Sequence, residues 1–127
     1  ISVSDVADSQ ASLLATGFPF KENKGEPGVF FEMVAELVQQ THGVRRAGAA
    51  ALDLAFVACG RIDGYFEVGL SPWDVAAGML LVAEAGGRVT GWRGDAGDPM
   101  LTGRVIASNG KLGDWLIEAT GRYTPWV

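Results

Sequence analysis

A chain of 127 residues, 48% hydrophobic and 20% charged, is long enough for one domain with a real apolar core and too apolar for a disordered or fibrous protein. Ten Lys and Arg against fifteen Asp and Glu leave a formal charge of −5 with no basic run, which excludes the phosphate-neutralising footprint of a nucleic-acid binder. The longest apolar stretches, residues 49–59 and 75–83, fall well short of the ~20 residues a membrane span needs, and the start lacks the basic-then-apolar form of a signal peptide. The single cysteine, Cys59, suits a reducing compartment, so a cytoplasmic, membrane-free protein is expected.

In chain order, Ile1 to Val3 reads as a strand, and no Met precedes it. Such a start is expected of a chain that has lost a leader or forms the later part of a longer one. Residues 12–16 are a short apolar run closed by Gly17 and Pro19, which predicts a buried strand. From Gly28 to Gln40, Phe30, Phe31, Val34, Leu37 and Val38 recur on one helical face. Glu32, Glu36, Gln39 and Gln40 take the other, predicting a surface helix ended by His42-Gly43. Residues 43–47 form a short strand candidate, basic through Arg45 and Arg46.

Residues 49–59 carry one polar side chain, Asp53, before Gly60, and read as a buried helix. Asp63-Gly64 is a turn, followed by an aromatic strand at 65–68. Residues 72–85 predict a second apolar helix, in which Ala76, Ala77 and Gly78 permit close approach of another element, and Gly86-Gly87 ends it. Residues 88–90 and 105–108 are strand candidates, separated by a Gly- and Asp-rich loop with Asp95 and Asp98 solvated. Residues 112–119 form a last amphipathic helix. Strands alternating with helices, two of them nearly all apolar, predict one layered α/β domain with helices covering the sheet.

The chemistry concentrates between Gly43 and Thr90. Ser71-Pro72-Trp73-Asp74 is a helix start, with Ser71 as cap, Pro72 at the first position and Asp74 in capping-box register. Asp74 therefore has two readings. It caps the helix, or it stands at a helix N-terminus where a carboxylate can hold a hard cation that bridges to phosphate. Glu67, seven positions earlier, can share that site through the loop between them. Gly48-Ala49-Ala50 opens the other apolar helix and brings a second helix N-terminus.

The stretch WDVAAGMLLVAEAGG, from Trp73 to Gly87, resembles the C-terminal signature of the inositol monophosphatase family. That signature is Trp-Asp, small residues, then an apolar helix ending in Glu-Ala-Gly-Gly. The likeness continues through RRAGAAALDLAFVACGRIDGYFE (Arg45 to Glu67), ATGFPF (Ala15 to Phe20) and LTGRVIASNG (Leu101 to Gly110), so it spans nearly the whole chain. Within the family the chain looks most like the bacterial inositol-1-monophosphatases of the extragenic-suppressor type.

The resemblance implies the C-terminal domain of an α-β-α-β-α sandwich, with residues 1–127 as that domain. The implied activity is Mg²⁺-dependent hydrolysis of a small phosphorylated polyol, inositol 1-phosphate first. Fructose 1,6-bisphosphate, histidinol phosphate and adenosine 3′,5′-bisphosphate are the rival substrates. It implies Asp74 as catalytic metal ligand close to substrate hydroxyls, Glu67 as acceptor for polyol hydroxyls, and Gly48, Ala49 and Ala50 along the substrate. At Ala49 the family usually has Ser or Thr, so a side-chain contact from that position is missing. A homodimer is likewise implied. The family's Glu-Glu pair and Asp-Pro-x-Asp-Gly-Thr/Ser motif are absent; the only Asp-Pro here, Asp98-Pro99, is followed by Met100 and Leu101. The chain is thus expected to lack the N-terminal metal-binding half, to begin at a cut between two halves, and to be inactive alone. A reading of another class is a non-catalytic domain kept for dimerisation or partner binding.

The remaining polar residues carry structural expectations. Asp53 is expected to be buried and paired with Arg45, Arg46 or Arg61. Asp63 is expected to serve its turn, His42 a cap or the surface, Cys59 the core as an inert thiol, and Arg45 and Arg46 the fold or a subunit contact. Trp73 is expected to pack under the site, leaving Asp74 at its rim.

Overall fold

The computed structural model describes residues 1–18, 27–95 and 97–123. Pro19 and Phe20, which belong to the Ala15–Phe20 match, lie outside the described residues. The strands are β1 (Leu13–Thr16), β2 (Gly43–Arg45), β3 (Gly64–Glu67), β4 (Arg88–Thr90) and β5 (Val105–Ser108). The helices are α1 (Pro27–Gln40), α2 (Ala50–Ala58), α3 (Pro72–Glu84), α4 (Pro99–Thr102) and α5 (Gly113–Gly121). They build the expected helix-covered α/β domain around one mixed sheet of order β2-β1-β3-β5-β4. The β2-β1-β3 part is parallel, whereas β5 runs antiparallel to both β3 and β4.

Successive strand residues face opposite sides, and each side has its own core. Leu14, Phe66 and Ile106 meet Phe30, Met33 and Leu37 of α1 and Leu116 of α5. Ala15, Tyr65, Val105 and Ala107 meet Leu54 and Val57 of α2 and Val75 and Val82 of α3. The connection through α1 moves from β1 outward to β2, and the one through α2 returns past β1 to β3. Crossovers of one hand that reverse direction must place their helices on opposite faces, and α1 and α2 do so. The direction changes at β1, and the crevice at the carboxyl ends of the parallel strands opens there.

The close approach expected between the apolar helices is made by Gly78 alone of the three small residues. A Cβ on Gly78 would lie 2.5 Å from the Cβ of Leu54, whereas Ala76 and Ala77 are exposed. Gly86, at φ +92°, ends α3 as expected, and the Gly87 N–H returns to the Val82 carbonyl at 2.8 Å.

Several expectations need correction. The segment from Ile1 to Val3 is not a strand. The Val3 N–H donates to the Ala85 carbonyl at the end of α3, not to a strand. Strand β2 stops at Arg45 because Gly48, at φ +103°, must turn the chain into α2. The loop between β4 and β5 holds a 3-10 turn at Trp92–Gly94 and the short α4. Asp98, exposed as expected, caps α4 by accepting from the Met100 N–H at 2.9 Å.

Asp63 is no simple turn residue either. Its buried carboxylate accepts from the Ser4 hydroxyl and from the Leu13 N–H (2.7 Å), and its carbonyl accepts from the Asn109 N–H (3.0 Å). It ties the first residues, the start of β1 and the end of β5 together. Trp73 is 83% exposed, so it points into solvent and packs under nothing. At the second helical position of α3 its side chain leaves the buried row of Val75, Gly78 and Val82.

Candidate functional site

The parallel strands end on one side of the sheet, and a cavity of about 440 Å³ lies at those ends. Gly17 follows β1, Arg46 follows β2 and Glu67 closes β3; the N-termini of α2 and α3 complete the wall. The five residues singled out from the sequence, Gly48, Ala49, Ala50, Glu67 and Asp74, all line this cavity.

At α2 the N-cap is Ala49, which has no side-chain oxygen and makes no capping bond. The first N–H groups of a helix have no partner within it, so the positive end of α2 meets the cavity without a side-chain acceptor among the described residues. Such an end favours an anion. Gly48 is required by its left-handed φ; a Cβ there would also sit 2.6 Å from Arg46 Nη1, the mobile end of a side chain that can move aside.

At α3 the Ser71 N–H donates to Asp74 Oδ2 at 2.9 Å. The capping reading of Asp74 is thus seen: Oδ2 serves the cap, while Oδ1 accepts no hydrogen bond among the described residues. Mg²⁺ commonly takes one or two carboxylates, with waters and phosphate filling the rest of six positions. Asp74 fits that habit as a single ligand. Among the described residues no group of three or more His, Cys, Asp or Glu is arranged to hold a metal.

Glu67 accepts a hydrogen bond from the Tyr65 hydroxyl at 2.6 Å. Burial pushes its carboxyl above the usual range and the Tyr65 bond opposes this. Asp53 and Asp74 add to the rise, and Arg46 works against it. The Tyr65 phenol is raised by burial first and by the Glu67 charge second, so it stays a donor.

Asp53 is buried, as expected, but no hydrogen bond reaches its carboxylate among the described residues. Burial raises its pKa to about 6, and of the three candidate arginines only Arg46 opposes that. Arg61 instead stacks on Phe56, its Cζ 5.5 Å from the ring centroid. Asp53 and these arginines border a second cavity of about 310 Å³ beside α2. His42 is exposed, as expected, while Cys59 is only half-buried and its thiol faces the Phe56 carbonyl at 3.6 Å.

Two site residues escaped the sequence reading. Arg46 lines the first cavity and also sits with Cζ 5.3 Å from the Phe18 ring centroid, where a fold or subunit role was expected. Gly17 had been read only as a strand terminator. The available signal was its place just after a buried parallel strand, where ligands approach backbone.

Similarity to known proteins points the same way as this geometry. The profile of the Inositol monophosphatase family matches residues 1–124. Nus factor SuhB of Escherichia coli is 49% identical over 109 residues, 86% of this chain and 40% of that protein. Inositol-1-monophosphatase of Synechocystis sp. is 44% identical over 126 residues, 99% of this chain and 43% of that protein. The structure of an inositol monophosphatase from Anabaena (Nostoc) sp. superposes with a TM-score of 0.88 at 46% identity, covering 98% of this chain and 49% of that one. The chain thus spans less than half the length of each of these relatives.

Proposed function

The chain belongs to the inositol monophosphatase family, and from that premise we propose that it supplies the C-terminal wall of a Mg²⁺-dependent phosphatase site for a small phosphorylated polyol, inositol 1-phosphate first. The observation that carries this reading is the convergence of Glu67, Asp74 and the uncapped N-terminus of α2 on one cavity.

In this reading the N–H groups at the start of α2 take the anionic ester from the side of Gly48, Ala49 and Ala50. Glu67, an acceptor-only carboxylate, takes vicinal hydroxyls of the polyol. Asp74 contributes one oxygen to the metal while its other oxygen keeps the α3 start fixed, so the ligand is held rigid by the cap it completes. The metal, when bound, supplies charge stabilisation and activation of water for ester hydrolysis. The remaining ligands come from chain beyond these 127 residues, so residues 1–127 alone are inactive. The protein works as a cytoplasmic homodimer.

Asp74→Asn in the protein at its full encoded length tests the reading. Asn keeps an oxygen for the Ser71 N–H but loses the charge. Mg²⁺-dependent turnover of inositol 1-phosphate is expected to fall by about a hundredfold or more, with an unchanged unfolding midpoint. Wild-type turnover in that variant removes Asp74 from the mechanism.

One observation favours a second reading. A relative 49% identical to this chain is called a Nus factor, which fits a domain kept for partner binding. Absence of Mg²⁺-dependent turnover on inositol 1-phosphate, fructose 1,6-bisphosphate, histidinol phosphate and adenosine 3′,5′-bisphosphate decides for that reading.

A further inference from the structure

Glu67 is held by two neighbours of different kinds. Tyr65 lies two residues before it on β3, so both side chains leave the same face of the sheet. The Tyr65 ring is fully buried in the core formed with α2 and α3, and only its hydroxyl reaches the Glu67 carboxylate, at 2.6 Å from Oε1. The second neighbour is Gly17. A Cβ there would lie 2.1 Å from Glu67 Oε1, 2.3 Å from Cδ and 2.6 Å from Oε2. The carboxylate fills the space that any other residue at position 17 would need. Gly17 has no left-handed φ, so its value here is room and not backbone freedom.

We propose that Tyr65 and Gly17 are positioning residues for substrate recognition: the buried phenol and the missing side chain at position 17 together fix the Glu67 carboxylate at one place in the cavity wall, where it accepts polyol hydroxyls. The inference rests on the polyol-binding role of Glu67 given above. A free Glu side chain must lose rotamer freedom when it binds, and a carboxylate fixed beforehand avoids that loss. The phenol also selects which oxygen is spent within the protein. Oε1 takes the Tyr65 hydrogen bond, and Oε2, which accepts none among the described residues, is left for the ligand.

The test uses the full-length protein, with inositol 1-phosphate as substrate and free myo-inositol as a non-reacting probe followed by NMR. Tyr65→Phe is expected to raise KM about tenfold with kcat within about twofold, and to weaken myo-inositol binding to match. Gly17→Ala, which leaves the phenol in place but displaces the carboxylate and the Oε1 that accepts from it, is expected to do the same. In a Glu67→Gln background, itself raised in KM, neither change adds further loss. If Glu67→Gln raises KM while Tyr65→Phe and Gly17→Ala leave KM and probe binding at wild-type values, the positioning inference falls and the polyol reading stands. If Glu67→Gln leaves KM unchanged, the polyol reading falls and takes the inference with it. If Tyr65→Phe lowers kcat and KM stays fixed, or if it adds its loss fully to Glu67→Gln, the phenol does not act through Glu67 and the inference is overturned.

Discussion

Asp53 is a buried carboxylate without a hydrogen bond among the described residues, and its environment raises its pKa from the usual 3.8 to about 6. A raised carboxyl pKa means that the folded state binds the proton more tightly than the unfolded chain. Its cost to stability is therefore fully present above pH 6 and fades as pH falls toward about 4. Asp53→Asn is expected to unfold at higher denaturant at pH 8, by about 1–2 kcal/mol, and the advantage should vanish near pH 4. Urea titrations at the two pH values check it; an advantage independent of pH would mean that the charge is not the cause. At this scale the sequence was a partial guide. Burial of Asp53 was legible from the apolar residues around it, because one polar side chain in a long apolar run has nowhere else to go. The arginine that acts on it was not legible. Arg45, Arg46 and Arg61 are about equally close in sequence and all border the same cavity as Asp53, so sequence distance does not choose among them. Trp73 was misread because a large aromatic beside a site residue invites burial, while helical phase alone decides which way it points.

The helices α2 and α3 pack along Gly78, whose missing side chain is the space Leu54 occupies. Gly78→Ala places a Cβ 2.5 Å from the Leu54 Cβ, which neither backbone can avoid without separating the helices. A loss of about 1–3 kcal/mol is expected, despite the better helix propensity of Ala. Ala76→Ser and Ala77→Ser, one turn face away and exposed, should each stay within about 0.5 kcal/mol. Equal losses at all three positions would show that propensity, not packing, sets the result. Elements were the most legible level, since β4 and β5 lie where the apolar runs put them and the helix limits differ by a residue or two. The failures have a common origin. A strand of three residues is made by its neighbours: Ile1 to Val3 has strand composition but reaches only the end of α3. Conversely, α4 is one turn created by the Asp98 cap and Pro99, a signal easily lost within a Gly-rich loop.

Across the molecule the two sheet faces are covered, but the outer side of the α2-α3 layer is not polar. Trp73, Leu52, Leu80 and Leu81 are all exposed there. Soluble domains rarely leave such a surface open, and residues 1–127 in isolation should therefore have a low solubility limit. Replacing Leu80 and Leu81 together by Lys is expected to raise that limit several-fold while unfolding free energy stays within about 0.5 kcal/mol. A clear loss of stability would show that these side chains are packed after all. Among the described residues no helix is long and apolar enough to cross a membrane. The layering was legible from helix composition, whereas the strand order was not: nothing local tells β5 to enter between β3 and β4.

That strand order has a consequence in time. During synthesis β3 finds β1 already made, but its other partner, β5, ends at Ser108. At about 5–20 residues per second, the interval between Glu67 and Ser108 lasts on the order of a few seconds. Throughout it, the strand bearing Tyr65 and Glu67 presents an open edge to any other nascent chain. The period of greatest exposure to mispairing is thus set by the sequence distance between the cavity wall and the strand that closes it.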